Sequence, residues 1–130
     1  MSQPSPRPLK VFHVDDSPLM RERVADLLDS RAMAVVGHAG TPQYAIDGIL
    51  AIHPDVVVLD VQLEGGSGLQ VLRAVRRIVP GIAFVVFSNH SEPAYRKRYL
   101  DEGAKAFLDK STEFRQLARA VVQAAPALTH

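Results

Sequence analysis

The sequence contains no cysteine, and aromatic residues make up only 6 % of its 130 residues. Without cysteine there can be no disulfide framework, no thiolate metal site and no cysteine nucleophile. An excess of charge of either sign is also lacking, since the chain has 15 Lys and Arg and 14 Asp and Glu. This balance argues against a nucleic-acid arm or a polybasic membrane anchor. No apolar run approaches the roughly 20 residues of a membrane span, and no signal peptide pattern is present. We therefore expect a cytoplasmic protein that does not insert into a membrane.

What is present fits one domain. A length of 130 residues lies within the usual range for a domain, and an apolar content of 47 % is enough for a hydrophobic core. Three prolines among polar residues at the start of the chain predict a flexible N-terminal tail over residues 1–8. We assign residues 9–125 to the domain and residues 126–130 to a C-terminal tail.

Short apolar runs alternate along the chain with segments of helical periodicity. Runs that are apolar on both faces are typical of interior strands in a parallel sheet. They lie at residues 9–14, 34–36, 56–59, 82–87 and 106–108. Between them, apolar residues recur at helical spacing, and Ser17-Pro18 and Thr41-Pro42 are typical helix starts. The pattern predicts an α/β fold in which five helices cover both faces of a five-stranded, doubly wound parallel sheet.

The fourth predicted helix, over residues 92–102, differs from the others. Tyr95 and Tyr99 form an i,i+4 pair, but charged residues surround them. Because its apolar face is thin, we expect this helix to pack most weakly.

Polar residues follow the ends of four predicted strands. They are Asp15 and Asp16 after the first strand, Asp60 after the third, Ser88 after the fourth and Lys110 after the fifth. In a doubly wound sheet the functional crevice lies beyond the carboxyl ends of the strands, so we expect these side chains at one rim.

Together these residue types suit phosphoryl chemistry. Three carboxylates close together need a compensating cation, and oxygen ligands favour Mg²⁺ or Mn²⁺. One carboxylate can attack a phosphoryl group and form an aspartyl phosphate. The cation and Lys110 supply positive charge to the transferring oxygens, and the Ser88 hydroxyl can donate to one of them.

Each of these residues has a simpler interpretation when it is taken alone. Asp15 and Asp16 can be turn or capping residues at the start of a helix. Ser88 can cap the fourth helix, and Lys110 can be a solvated loop lysine. The joint occurrence of all five at strand ends is what favours a functional site.

Several motifs around these positions extend the pattern. They are Val14-Asp15-Asp16-Ser17, Val58-Leu59-Asp60, Gly66-Ser67-Gly68-Leu69, Val86-Phe87-Ser88 and Gly103-Ala104-Lys105-Ala106-Phe107-Leu108-Asp109-Lys110. As a set they resemble the receiver domain of two-component response regulators, over about residues 9–125. The resemblance implies a flavodoxin-like sheet of strand order 2-1-3-4-5 and a phosphoprotein that acts in two-component or phosphorelay signal transduction.

The resemblance also implies the ligands of a metal site. Asp60 is the expected phosphoacceptor. Asp16, Asp60 and the backbone carbonyl of Gln62 are expected to bind Mg²⁺ directly, and Asp15 to act through water.

Further roles are implied for residues around the phosphoryl group. Lys110 is expected to contact the phosphate, Ser88 to move toward it on activation, and Phe107 to act as an aromatic switch. Gln62 and His90 occupy positions that tune dephosphorylation. The family's phosphodonor is a histidine kinase or a histidine phosphotransfer protein, and its acyl phosphate hydrolyses slowly.

The chain departs from common receiver patterns at three places. Glu64 replaces a frequent proline, so we expect a more mobile loop that adds negative charge near the site. Ser111 replaces the proline that often follows the lysine, which removes the slow isomerisation of that bond. Asn89 replaces a small residue and can narrow access to the phosphate. Three further histidines, His13, His38 and His53, are interpreted as structural or exposed.

Three functional hypotheses follow. The first is a stand-alone receiver without a DNA-binding or enzymatic domain, whose phosphorylation switches a surface around helix 4, strand 5 and helix 5 that binds a downstream protein or a second copy. The second is a protein-interaction module that needs no phosphate. The third is an aspartate-based phosphatase, and Gln62 argues against it because such enzymes place an acid/base aspartate there. We expect no enzyme activity beyond self-catalysed phosphorylation and slow autodephosphorylation.

Overall fold

The computed structural model describes residues 7–126. The strands of the main sheet are β1 (Leu9–Val14), β2 (Met33–Ala39), β3 (Val56–Leu59), β4 (Ala83–Ser88) and β5 (Ala106–Asp109). The helices are α1 (Pro18–Leu28), α2 (Pro42–Ile52), α3 (Gly68–Ile78), α4 (Pro93–Asp101) and α5 (Leu117–Ala124), and a 3-10 turn at Phe114–Gln116 precedes α5. Of the predicted tails, residues 1–6 and 127–130 lie outside the described part of the chain.

The five strands are parallel and lie in the order β2-β1-β3-β4-β5, which confirms the predicted fold class. At the carboxyl end, Val14 of β1 pairs with Leu59 of β3, and Leu59 pairs with Val86 of β4. By this register Asp15 and Asp60, which follow β1 and β3, lie at the level of Phe87, one position before Ser88 ends β4 at the same edge of the sheet. The chain reverses its direction of winding between β1 and β3, so a crevice is expected beside these two strands.

Helices cover both faces of the sheet, and each face has its own core. Phe12, Phe84 and their neighbours pack against α2, α3 and α4, while Val11 and Phe87 pack on the other face against α1 and α5. The central strand β3 has no exposed residue, since all four of its side chains are 0 % exposed. Burial on both faces is the reason that its sequence is continuously apolar.

Two helix starts form as the sequence predicts. The Ser17 hydroxyl accepts a hydrogen bond from the backbone of Met20, and the Thr41 hydroxyl accepts one from the backbone of Tyr44. Each helix has proline at its first position, where no hydrogen-bond donor is needed. By contrast, α4 lacks a side-chain cap and buries Tyr99 alone among its residues in the described structure, in agreement with the expected weak packing.

Between β3 and α3 the chain forms a short antiparallel hairpin from Gln62–Leu63 and Gly66–Ser67. Its two-residue turn consists of Glu64 and Gly65, and Gly65 has a φ of 79°, which favours glycine. The loop that was expected to be more mobile is therefore a paired hairpin in the structure. Within the described residues, no helix has the length and apolar character needed to cross a membrane.

Candidate functional site

Asp60 follows β3 directly and lies at the centre of the strand-end rim. Its backbone N–H donates to the Val14 carbonyl at 3.0 Å, which extends the ladder between β1 and β3 by one residue. Its Oδ1 accepts from the backbone of Val61 at 2.7 Å, and its Oδ2 accepts from the Nζ of Lys110 at 2.9 Å. The residue is 9 % exposed, so the carboxylate is held on several sides and is still open to solvent.

Gly68 permits the close packing of α3 against this position. A Cβ at Gly68 would lie 2.1 Å from the backbone oxygen of Asp60. Because α3 begins at Gly68, any larger side chain would push the start of the helix away from the end of β3. The glycine of the sequence motif therefore serves the geometry of the site.

A buried ammonium group joins two carboxylates at the rim. The Nζ of Lys110 lies 2.6 Å from Oδ2 of Asp15 and 2.9 Å from Oδ2 of Asp60. Asp15 is 1 % exposed, and its Oδ1 accepts from the backbone of Ser17. Burial opposes the charged form of Lys110, but its hydrogen bond to Asp15 and the charge of Asp60 outweigh burial and raise its pKa. The lysine is therefore an ammonium at neutral pH and partly compensates the two carboxylates.

A cavity of about 410 Å³ opens over these groups. Its lining residues are Asp16, Asp60, Gln62, Leu63, Glu64 and His90. Four of the predicted site residues thus share one cavity, and two of them are carboxylates. The negative charge of the lining favours the binding of a cation. A bound cation can in turn hold an anionic group in the same cavity.

The donors at this cavity fit a hard divalent cation. Among residues 7–126, no three His, Asp or Glu side chains are grouped so that they could hold a metal ion by themselves. A cation would therefore need backbone carbonyls or water besides carboxylates, as Mg²⁺ commonly has. The predicted ligand set of Asp16, Asp60 and the Gln62 carbonyl is of this kind.

Ser88 ends β4 at the same edge of the sheet, one position beyond the level of Asp60, and is fully buried. Its carbonyl accepts from the backbone of Lys110 at 3.1 Å, and its Oγ accepts from the backbone of His90 at 3.0 Å. One lone pair of the Ser88 hydroxyl is therefore occupied, and its proton is still available to donate a hydrogen bond to another acceptor. Because Glu92 is the residue that precedes α4, Ser88 does not cap this helix.

Phe107 lies in β5 with its ring already turned inward, at 2 % exposure. The ring of Tyr99 meets it edge-on with centroids 6.1 Å apart, and the Arg96 guanidinium lies 5.5 Å from its centroid. Burial raises the pKa of Tyr99 to about 12, so this tyrosine is a neutral phenol. The aromatic residue expected to act as a switch is thus in direct contact with two residues of α4.

His13, which was predicted to be structural or exposed, is a buried neighbour of the site. It is 2 % exposed, and its Nε2 lies 3.9 Å from Oδ2 of Asp15. Burial, together with the positive charge of Lys110, lowers its pKa to about 3, so the ring is neutral. Its position two residues after Val11, on the same face of β1, was the signal available in the sequence. His38 and His53 are exposed, as expected.

Two of the departures from the receiver pattern contact each other. The Ser111 hydroxyl donates to Oδ1 of Asn89 at 3.1 Å, and the Ser111 N–H donates to Oδ1 of Asp109 at 2.7 Å. Proline could make neither hydrogen bond, because it has no hydroxyl and no N–H. The pair joins the loop after β4 to the loop after β5, beside Ser88 and Lys110.

The chain matches the model of the response regulator receiver domain over residues 11–122, a range that includes every candidate site residue. "Probable transcriptional regulatory protein NarL" of Mycobacterium tuberculosis is 37 % identical over 126 residues, which are 96 % of this chain and 58 % of that relative. "Protein-glutamate methylesterase/protein-glutamine glutaminase 1" of Geobacter metallireducens is 37 % identical over 108 residues, which are 82 % of this chain and 30 % of the relative. The chain thus spans little more than half of one relative and less than a third of the other.

Solved structures show the same architecture. The signal receiver domain of NarL from Mycobacterium tuberculosis superposes with a TM-score of 0.84 and 36 % identity, covering 91 % of this chain and 96 % of that one. The response regulator domain of CheB from Thermotoga maritima superposes with a TM-score of 0.81 and 28 % identity, over the same shares of the two chains. Both superpositions cover 91 % of this chain, so the likeness is one of the fold as a whole.

Proposed function

The chain belongs to the response regulator receiver domain family, and from this membership we propose that it is a phosphoacceptor in two-component or phosphorelay signalling. In this proposal Asp60 accepts a phosphoryl group from a histidine kinase or a histidine phosphotransfer protein. The observation that carries it is the contact of Lys110 with both Asp15 and Asp60. Residues so far apart in sequence gather at one rim with the charges that phosphoryl transfer needs.

The proposed transfer uses a carboxylate oxygen of Asp60 as the nucleophile. A P–O bond forms at Asp60 while the P–N bond to the donor imidazole breaks, and its electron pair stays on the imidazole nitrogen. Lys110, already beside Asp60, supplies positive charge to the phosphoryl oxygens. Ser88 donates its hydroxyl proton to one of them. Water takes no part in this transfer, so hydrolysis of the phosphoryl group is a separate step. In the proposal this hydrolysis is slow, and Gln62 and His90 at the cavity wall tune its rate.

A divalent cation completes the proposed site. Asp16, Asp60 and the carbonyl of Gln62 would hold Mg²⁺ or Mn²⁺ there, with Asp15 acting through water. When bound, the cation neutralises charge on the oxygens of the transferring group. The carboxylates on this rim accordingly serve as ligands, and Asp60 serves also as the nucleophile.

The proposed output is a change of surface around α4, β5 and α5. Ser88 moves toward the phosphoryl group, and the Phe107 ring, which contacts Tyr99 and lies under Arg96, passes the change to α4. Because α4 buries little of its surface, its rearrangement costs little free energy. The changed surface would bind a downstream protein or a second copy of the chain.

Phosphorylation can be measured directly by intact mass. The protein is incubated with Mg²⁺ and acetyl phosphate, and we expect the mass of one added phosphoryl group. Asp60→Asn should show no gain, and a chelator should suppress the gain in the wild type. Asp55→Asn is the matched control, because Asp55 lies at the opposite end of β3, and it should be phosphorylated normally. Absence of a gain in the wild type, or a gain that persists in Asp60→Asn, would contradict the proposal.

Two further outcomes separate the competing hypotheses. Partner binding that is equal with and without a phosphate mimic would favour a phosphorylation-independent interaction module. Multiple turnover on a phosphate ester would favour a phosphatase, whereas we propose that the chain catalyses only its own phosphorylation and dephosphorylation. Stand-alone organisation and cytoplasmic location stay predictions.

A further inference from the structure

We propose that Glu64 sets the charge selectivity of the phosphorylation cavity, strengthening the binding of the divalent cation and disfavouring doubly negative small-molecule phosphodonors. This inference rests on the proposed role of Asp60 as the phosphoacceptor. It assigns Glu64 a role as a specificity-determining residue that takes no part in bond making.

The hairpin holds the backbone of Glu64 at the rim of the cavity. Gln62 pairs with Ser67 and Leu63 with Gly66, which leaves Glu64 in the two-residue turn. The Glu64 N–H donates to the carbonyl of Gly40 at 3.2 Å, tying the turn to the segment after β2. Leu63 is 4 % exposed and anchors the hairpin in the core. Glu64 is thus carried by a paired segment on the same wall as Gln62.

The ionisable residues that line the cavity are all acidic, apart from His90. Asp16, Asp60 and Glu64 all line it, and no lysine or arginine of the described chain belongs to its lining. Lys110 is outside this lining and is already shared by Asp15 and Asp60. Within residues 7–126, Glu64 has no lysine, arginine or histidine partner at ion-pair distance. Its charge is therefore uncompensated and adds to the negative potential at the entrance.

A negative charge here acts in opposite directions on the two ligands. It attracts the cation and repels the phosphoryl donor, and the repulsion grows with the donor's own charge. For exposed charges several ångströms apart in water, with ordinary screening, we expect an effect of roughly two- to fivefold on each. Proline, frequent at this position in the pattern that the sequence resembles, would carry no such charge.

The test compares the wild type with Glu64→Gln. Glu22→Gln is the control, because Glu22 is exposed on α1 and lies outside the cavity lining. Phosphorylation rates are measured at saturating Mg²⁺ with acetyl phosphate and with phosphoramidate, which carries one negative charge fewer at pH 7. In both reactions a P–O bond forms at Asp60, and acetate or ammonia leaves. Mg²⁺ affinity is measured separately by calorimetry without a donor.

We expect Glu64→Gln to react roughly two- to fivefold faster with acetyl phosphate, to gain less with phosphoramidate, and to bind Mg²⁺ more weakly by a similar factor. Glu22→Gln should match the wild type throughout. Unchanged Mg²⁺ affinity, or the same rate change with both donors, would overturn the inference. If the wild type is phosphorylated and Glu64→Gln behaves identically, this inference alone fails. If neither donor phosphorylates the wild type, the proposed function fails first.

Discussion

The strand β3 carries an aspartate next to each of its ends, and the two aspartates have opposite surroundings. Asp55, before the strand, binds the Arg7 guanidinium through both oxygens at 2.8 Å and also accepts from the backbone of Lys10 at 2.8 Å. Asp60, after the strand, shares the single ammonium of Lys110 with Asp15. Short charged contacts occur at both ends, so distance alone does not identify the functional one.

The difference lies in the ratio of charges and in burial. At Asp55 one cation serves one carboxylate, and Arg7 is 52 % exposed. At Asp60 one cation serves two carboxylates, and the Lys110 side chain is 7 % exposed. The pair of Arg7 and Asp55 is balanced in charge and partly solvated, so it stabilises the fold only modestly. The buried carboxylates that share Lys110 have an excess of negative charge, which is typical of a site that binds cations and reacts.

Removing the buried cation should have the largest effect. Lys110→Met leaves Asp15 and Asp60 buried side by side without compensation, so we expect the free energy of unfolding to fall by about 3–5 kcal/mol. Urea unfolding at pH 7 measures the loss. The raised pKa of Lys110 also implies that its contribution is present below its ordinary value of 10.5 and is lost as pH rises through the value in the folded protein. An unchanged unfolding free energy in the variant would contradict the account of the site.

His13 should make the free energy of unfolding depend on pH in the acid range. The unfolded chain protonates His13 below its ordinary pKa of 6.5, but the folded protein does so only near 3, because burial opposes the charged ring. Stability should therefore decrease as pH falls from 6.5 toward 3, by roughly 3 kcal/mol at pH 4. Unfolding measured at several pH values should show a flatter dependence in His13→Gln. Equal slopes in the two proteins would show that His13 does not cause the acid sensitivity.

At the other end of β3, Asp55→Asn should cost about 1 kcal/mol, since the variant loses the charged pair with Arg7 and weakens the contact to Lys10. The hydrogen bond from Arg7 lowers the pKa of Asp55 below its ordinary value of 3.8. The contribution is thus present above pH 3.8 and is lost as pH falls through the lower value in the folded protein. Urea unfolding at pH 7 and at pH 3 should show a smaller difference from the wild type at the lower pH.

Arg7→Met should have the smallest effect. The guanidinium is exposed, and Asp55 keeps its hydrogen bond from Lys10 when Arg7 is removed. We expect a shift in the unfolding midpoint that is smaller than that of Asp55→Asn and that disappears at high salt, because exposed charges are screened. A shift as large as that of Lys110→Met would mean that the two ends of β3 do not differ as proposed.

Much of the fold followed from local patterns. The apolar runs at residues 9–14 and 56–59 became β1 and β3 with the same limits, and Ser17 and Thr41 cap the helices that their prolines begin. These features are readable because burial on both sheet faces selects continuous apolar residues and because helix starts need a hydrogen-bond acceptor. The strand-end residues were also predictable, since parallel strands end at one edge.

The order of the residues predicted the five strands of the main sheet, the five helices and the polar residues at the rim, but it did not predict the hairpin between β3 and α3. It takes the folded chain to show that Lys110 contacts Asp15 across 95 positions, that Ser111 contacts Asn89, and that the turn at Glu64 is hydrogen-bonded to Gly40. Periodicity reports which side of an element is buried, and it carries no information on which distant side chains come within hydrogen-bond distance. That depends on strand register and on how two loops meet in space, which arise when the sheet and its helices pack together.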